Sequence, residues 1–101
     1  MPPVIRSRQA QQDYEDILEY LDAHSPSAAN RFAAGVAAKC RLLERFPKLG
    51  RTRDDLHPGV RSVLVGKYLL IYRVTDSAVV IVRILHGARN LSAVDWEDDD
   101  S

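Results

Sequence analysis

Residues 60–90 constrain this chain more than any other stretch. They run Val-Arg-Ser-Val-Leu-Val, then Gly66 and Lys67, then Tyr-Leu-Leu-Ile-Tyr-Arg-Val, a polar break at Thr75, Asp76 and Ser77, and Ala-Val-Val-Ile-Val-Arg-Ile-Leu-His-Gly-Ala-Arg-Asn. Runs rich in valine, isoleucine, leucine and tyrosine, cut at short intervals by turn residues, predict an antiparallel three-stranded meander. Gly66 supplies the positive φ that a two-residue hairpin turn needs at its first central position. Such a turn pairs Val65 with Tyr68 and Arg61 with Tyr72. It puts Arg61, Val63, Val65, Tyr68, Leu70 and Tyr72 on one face, and Ser62, Leu64, Leu69, Ile71 and Arg73 on the other. Both faces are strongly apolar. The break at 75–77 closes with either parity, so Arg83 and His86 are assigned to neither face.

Upstream, Pro3-Val4-Ile5-Arg6 reads as a short strand available to join the sheet as an edge. Ser7 is a suitable N-cap for the helix that follows, in which Ala10, Tyr14, Ile17, Leu18 and Leu21 recur at three- and four-residue steps. The acids of this helix are expected on the opposite side, those in the first turns complementing the helix dipole. Ser25 and Pro26 mark a second start, a capping serine followed by proline at the first helical position. This helix runs to about Phe46, with Ala29, Phe32, Ala33, Val36, Ala37, Cys40 and Leu43 as its apolar stripe. The brief link forces the two helices into an antiparallel hairpin. Lys39, Arg41 and Arg45 near its C-terminus complement the dipole without any ligand. Residues 47–58 read as a basic loop. The expected architecture is α+β, in the order β-α-α-β-β-β, with the helix hairpin on one face of a small four-stranded antiparallel sheet. The other face, apolar and dotted with arginines, is left to water or to a partner.

The 101 residues make one domain with a single core. No apolar run approaches the roughly 20 residues of a membrane span, and no signal-peptide pattern opens the chain. Cys40, the single cysteine, excludes an internal disulfide framework and reads as a structural thiol, so the cytoplasm is the expected compartment. Net charge is zero, yet residues 9–24 carry five acids and no lysine or arginine, while residues 56–90 carry five bases against one acid. The end of the chain is acidic again, with Asp95, Glu97, Asp98, Asp99 and Asp100 around Trp96. A basic sheet between acidic segments implies an anionic partner, an internal clamp, or only solvated faces. Residues 1–91 are therefore taken as the domain and 92–101 as an acidic tail. No histidine–cysteine–acid spacing suggests a metal, and no glycine-rich loop precedes a helix to hold phosphate, so no cofactor is expected.

Leu-Glu-Arg-Phe-Pro-Lys-Leu-Gly at 43–50, Arg61, Val-Gly-Lys-Tyr-Leu-Leu-Ile-Tyr-Arg at 65–73 and Val-Arg-Ile-Leu-His-Gly-Ala-Arg at 82–89 resemble, in this order, the ParE branch of the ParE/RelE toxin superfamily. The resemblance covers about residues 4 to 91. It implies the toxin of a type II toxin–antitoxin pair, neutralised by a ParD-like antitoxin. ParE-like members poison DNA gyrase, whereas the RelE branch cleaves mRNA on the ribosome. Metal-free RNA cleavage needs a base, cations for the phosphate and an acid for the leaving oxygen. Leu69 stands where the RNA-cleaving branch tends to carry a strand arginine, and the tyrosine- and base-rich C-terminus of that branch is replaced by acids. The resemblance thus implies a toxin that acts by binding rather than catalysis, touching nucleic acid only through gyrase or an antitoxin–operator complex. A RelE-like ribonuclease and an inactive antitoxin-binding module are the alternatives. Arg61, Arg73, Arg83, His86 and Arg89 are the candidates for target contact, and Leu64, Leu69, Ile71 and Arg73 for antitoxin contact. Arg73 and Arg83 are equally suited to pairing with acids of their own chain. His86 is suited to a structural hydrogen bond, and Tyr68 and Tyr72 to core anchors.

Overall fold

The computed structural model describes residues 2–88 and, beyond them, Leu91, Val94 and Trp96. Strand β1 (Val4–Arg6) leads into α1 (Arg8–His24) and α2 (Pro26–Arg45), followed by β2 (Arg51–Thr52), β3 (Arg61–Val65), β4 (Tyr68–Val74) and β5 (Val79–His86). The helix hairpin forms as its caps dictate. The Ser7 hydroxyl accepts the Ala10 N–H at 3.0 Å, and Ser25 accepts that of Ala28 with Pro26 opening α2. No acid lies in the first turn of α1, so the dipole role expected for them is absent there.

The sheet has five strands in the order β1-β5-β4-β3-β2. It is mixed rather than wholly antiparallel, because β1 pairs with β5 in parallel, Val4 opposite Val79 and Arg6 opposite Ile81. The loop expected at 47–58 contributes the fifth strand, Arg51 and Thr52 pairing with Ser62 and Arg61. The β3–β4 register is the expected one, Val65 opposite Tyr68 and Arg61 opposite Tyr72, with Gly66 at φ 59° in the turn. A β-bulge decides the parity left open at 75–77. Ile71 stands opposite Arg83 and Tyr72 opposite Ile81, so Val82 is the extra residue of β5. Val79 and Ile81 before the bulge and Ile84 after it therefore all enter the core beneath the helices.

That core joins Ala10, Phe32, Val36 and Leu43 to Val63, Val65, Leu70 and Tyr72, with Tyr14, Ile17, Leu18 and Leu21 packed around it. The opposite face of the sheet is not open. Leu69, Ile71 and Leu85 are buried there with Val60 and Val94, and Leu56, Val82, Leu91 and Trp96 close over them. The Trp96 ring stacks on His57, centroids 5.6 Å apart. The connection before β3 and the described residues after β5 thus cover the face expected to await a partner. The acids of the expected tail, Asp95, Glu97, Asp98, Asp99 and Asp100, all lie outside the described residues.

Candidate protein-docking site

Of the five candidates for target contact, the four that the structure describes do not form one surface. Arg61, half-buried, donates to the carbonyl oxygens of Gly50 at 2.7 Å and Lys48 at 3.3 Å. Arg73 is half-buried opposite Val80. His86 is exposed at the other end of the ladder, opposite Tyr68, roughly 16 Å from Arg61 by strand rise and the spacing of two strands. Its Nδ1 accepts the Ala88 N–H at 3.0 Å, which leaves Nε2 as the protonated nitrogen of the neutral ring. Arg89 lies outside the described residues.

Arg83 is buried and faces an acid of its own chain. Its Nε donates to Asp13 Oδ2 at 2.8 Å and Nη2 to Oδ1 at 3.1 Å. Asp13 Oδ2 also accepts the Ile84 backbone N–H at 3.0 Å. The reason lies in the sheet edge. Strand β1 covers β5 only as far as Ile81, and beyond it β5 would present unpaired backbone groups. Helix α1 satisfies them: the Ser7 hydroxyl donates to the Val82 carbonyl, and Asp13 takes the Ile84 N–H. Asp13 was expected among the solvated acids of α1, yet only 8% of it is exposed. The signal was available, since position 13 falls three after Ala10 and four before Ile17, inside the apolar stripe.

A second polar knot holds the 47–50 turn. The Tyr72 hydroxyl donates to the Pro47 carbonyl and accepts the Gly50 N–H, both at 2.8 Å. Burial pushes that phenol above the ordinary tyrosine range, against the lowering influence of Gly50 and Arg61. A Cβ at Gly50 would stand 2.7 Å from both the Ser62 carbonyl oxygen and the Tyr72 hydroxyl, so only glycine fits. This links three of the motifs read in the sequence, 43–50, Arg61 and 65–73, into one contact.

An open groove of about 850 Å³ runs between the end of α1, the first two-thirds of α2 and the β3–β4 hairpin. Tyr20, Phe32, Leu64 and Tyr68 supply apolar walls, Gly35 and Ala38 a shallow floor. Arg31, Lys39, Lys67 and His86 line it, with no aspartate or glutamate among the described residues of its walls. Tyr20 and Leu64 are both 59% exposed, high values for large apolar side chains. Of the four candidates for antitoxin contact, Leu64 lines this groove. Leu69 and Ile71 are buried beneath the second cluster, and Arg73 is on their face of β4. Sequence reasoning missed Tyr20, Arg31 and Lys39 because helix periodicity marks the core stripe, not the flank beside it. Among the described residues no cluster of histidine, cysteine and acids could hold a metal, and no helix is long and apolar enough to cross a membrane. Burial pushes the Cys40 thiol up, away from reactivity.

Two helices on a five-stranded mixed sheet, with an apolar groove rimmed by cations, define a small α+β protein built for docking. The fold matches a chain of the chromosomal ParDE toxin–antitoxin system from P. aeruginosa, with a TM-score of 0.72 over 85% of this chain and 96% of that one, at 21% identity. The profile described as "ParE toxin of type II toxin-antitoxin system, parDE" matches residues 4–91. Toxin ParE3 of Caulobacter vibrioides is 34% identical over 94 residues, covering 92% of this chain and 94% of the relative. Toxin RelE2 of the same organism is 34% identical over 89 residues, 88% of this chain and 99% of its own. The chain belongs to the ParE toxin family of type II toxin–antitoxin systems.

Proposed function

We propose that this toxin acts by binding, arresting growth as a poison of DNA gyrase, and that an antitoxin neutralises it by laying an acidic amphipathic segment into the Tyr20–His86 groove. Family membership across residues 4–91 supports the toxin half. The observation that carries the binding mode is the Asp13–Arg83 pair. A ribonuclease would need its strand cations turned to the scissile phosphate, and this one is buried against a carboxylate of α1. Leu69, at the position of a strand arginine in the RNA-cleaving branch, is likewise buried.

The groove suits a disordered acidic segment that folds on contact, its apolar side chains on Phe32, Leu64 and Tyr68 and its carboxylates toward Arg31, Lys39 and Lys67. From Ala28 to Lys39 the wall of α2 is about 16 Å long, three turns of an incoming helix. Strand β2 pairs only with Arg61 and Ser62, so among the described residues no strand flanks the outer edge of β3 at residues 63–65. The same segment could continue there as an added strand.

The test is gyrase-driven plasmid supercoiling with purified toxin, scored for inhibition and trapped linear DNA. The expected result is linear product that disappears when the antitoxin is added. Intact supercoiling at micromolar folded toxin would overturn the gyrase reading. The similarity to Toxin RelE2 favours a second reading, ribosome-dependent mRNA cleavage. Its sign would be cuts in ribosome-bound message that vanish in His86→Ala.

A further inference from the structure

A second exposed surface lies one turn of α2 beyond the groove. Leu42, Phe46 and Leu49 are 40%, 53% and 49% exposed, although all three are large and apolar. They are neighbours in space. Phe46 follows Leu42 by four residues and donates its N–H to the Leu42 carbonyl, and the Leu49 N–H donates to the Phe46 carbonyl. None of the three lines the groove or the smaller hollow between α1 and α2.

The turn that carries them is held from inside. Tyr72, wholly buried, grips Pro47 and Gly50 through its hydroxyl, and Arg61 grips Lys48 and Gly50. A surface turn fixed by a core tyrosine and a strand arginine loses little conformational entropy on docking, which is what a preorganised anchor requires. Arg41, Arg45, Lys48 and Arg51 are exposed around the three apolar residues against one acid, Glu44. The Arg45 guanidinium lies 5.6 Å from the Phe46 ring centroid. Four cations around each copy's patch would repel one another across a self-associating pair, so charge points to an acidic partner. A flexible segment wraps into a groove, whereas a fixed knob of phenylalanine and leucine inserts into a pocket on a folded surface.

We propose that Leu42, Phe46 and Leu49 are the anchor by which this toxin engages its protein target, a folded acidic surface with an apolar pocket. The inference rests on the reading that the toxin acts by binding. It also gives neutralisation a geometry: the groove ends at Ala38 and Lys39, so an antitoxin seated there stands beside the anchor and blocks the target without covering the knob itself.

The experiment compares the wild-type toxin with Phe46→Ser/Leu49→Ser and Arg45→Glu/Lys48→Glu. Each is assayed for gyrase inhibition, for antitoxin affinity by calorimetry, and for fold by circular dichroism and urea unfolding. The apolar variant is expected to need at least about tenfold more protein for the same inhibition, with antitoxin affinity changed less than about twofold. Gly50→Ala, which releases the clamp without touching the knob, is expected to weaken inhibition in the same direction. Undiminished inhibition by a folded apolar variant overturns the proposal. A parallel loss of antitoxin affinity also overturns it, assigning the patch to the antitoxin. Loss in the charge variant alone overturns it in favour of nucleic acid. If wild-type toxin leaves supercoiling intact, the gyrase reading fails and growth arrest on induction becomes the readout. Arrest that the apolar variant abolishes then supports the anchor against another target. Arrest that survives in the variant, or wild-type toxin that arrests nothing, overturns it.

Discussion

Asp13 is the residue on which most of the fold's polar architecture converges. One carboxylate meets the Arg83 guanidinium, the Ile84 amide and, at 3.3 Å, the Gln9 side chain. Removing it takes the carboxylate from a buried guanidinium and leaves the Ile84 backbone N–H without this acceptor. Asp13→Ala is therefore expected to cost about 3–5 kcal/mol, a large share of the stability of a domain this size, as read from urea unfolding midpoints. Tyr72 is the second such residue. Tyr72→Phe leaves the Gly50 N–H and the Pro47 carbonyl without their partner and is expected to cost about 1–3 kcal/mol. Burial raises the folded pKa of this phenol above its unfolded value, so the unfolded chain releases the proton first. The stability this contributes is complete below about pH 10 and declines as pH rises through the folded value. Unfolding midpoints measured from pH 8 upward should fall beyond about pH 10, and fall less in Tyr72→Phe.

Among the elements, the helices and the β3–β4 hairpin were legible because each follows from local chemistry. Ser7, Ser25 and Pro26 announce the helix starts, Gly66 the turn, and alternation the register of Val63 and Leu70. The course of β5 was not legible. Its residues are apolar almost throughout, so alternation carries no phase, and the bulge that swaps the faces has no glycine to mark it. Residues 51–52 were equally silent, since two residues become a strand only because Ser62 and Arg61 lie beside them. Deleting Val82 tests the bulge. Without the extra residue, either Val79 and Ile81 or Ile84 must turn out of the core, so the deletion is expected to cost more than about 3 kcal/mol. Val82→Ala, which keeps the bulge and trims a half-buried side chain, should cost about 1 kcal/mol or less. Urea unfolding of the two variants separates the cases.

Across the whole molecule, charge was legible as a total and illegible as a layout. The acidic helix and basic sheet imply a clamp or a partner; the clamp is Asp13 with Arg83 inside, while Arg31, Lys39 and Lys67 lie around the groove outside. The arginine and histidine candidates are close in sequence to the strands, but the sheet spreads the four described ones, Arg61, Arg73, Arg83 and His86, over two faces and both ends. The partner of Arg83 was invisible without the run of α1 along the free edge of β5, which brings Asp13 to it.

The pairing of the first strand with the last has a consequence for how the toxin is made. Val4 meets Val79, and Asp13 reaches Arg83 across 70 residues of chain. Neither contact exists until β5 has left the ribosome, and β5 is flanked by β1 and β4 in the finished sheet. A nascent chain that ends before Val79 lacks three of the eleven buried residues beneath the helices, Val79, Ile81 and Ile84, along with the strand that joins β1 to β4, and it should be cut by protease far more readily than the finished domain. With synthesis at about 5–20 residues per second, the chain between Val4 and Val79 takes on the order of 4–15 seconds to make, and the sheet stays open for that time. Topology thus delays the groove as well as the core, since His86 at the end of β5 is one of its walls, and the docking surface proposed there is completed only once that strand is in place.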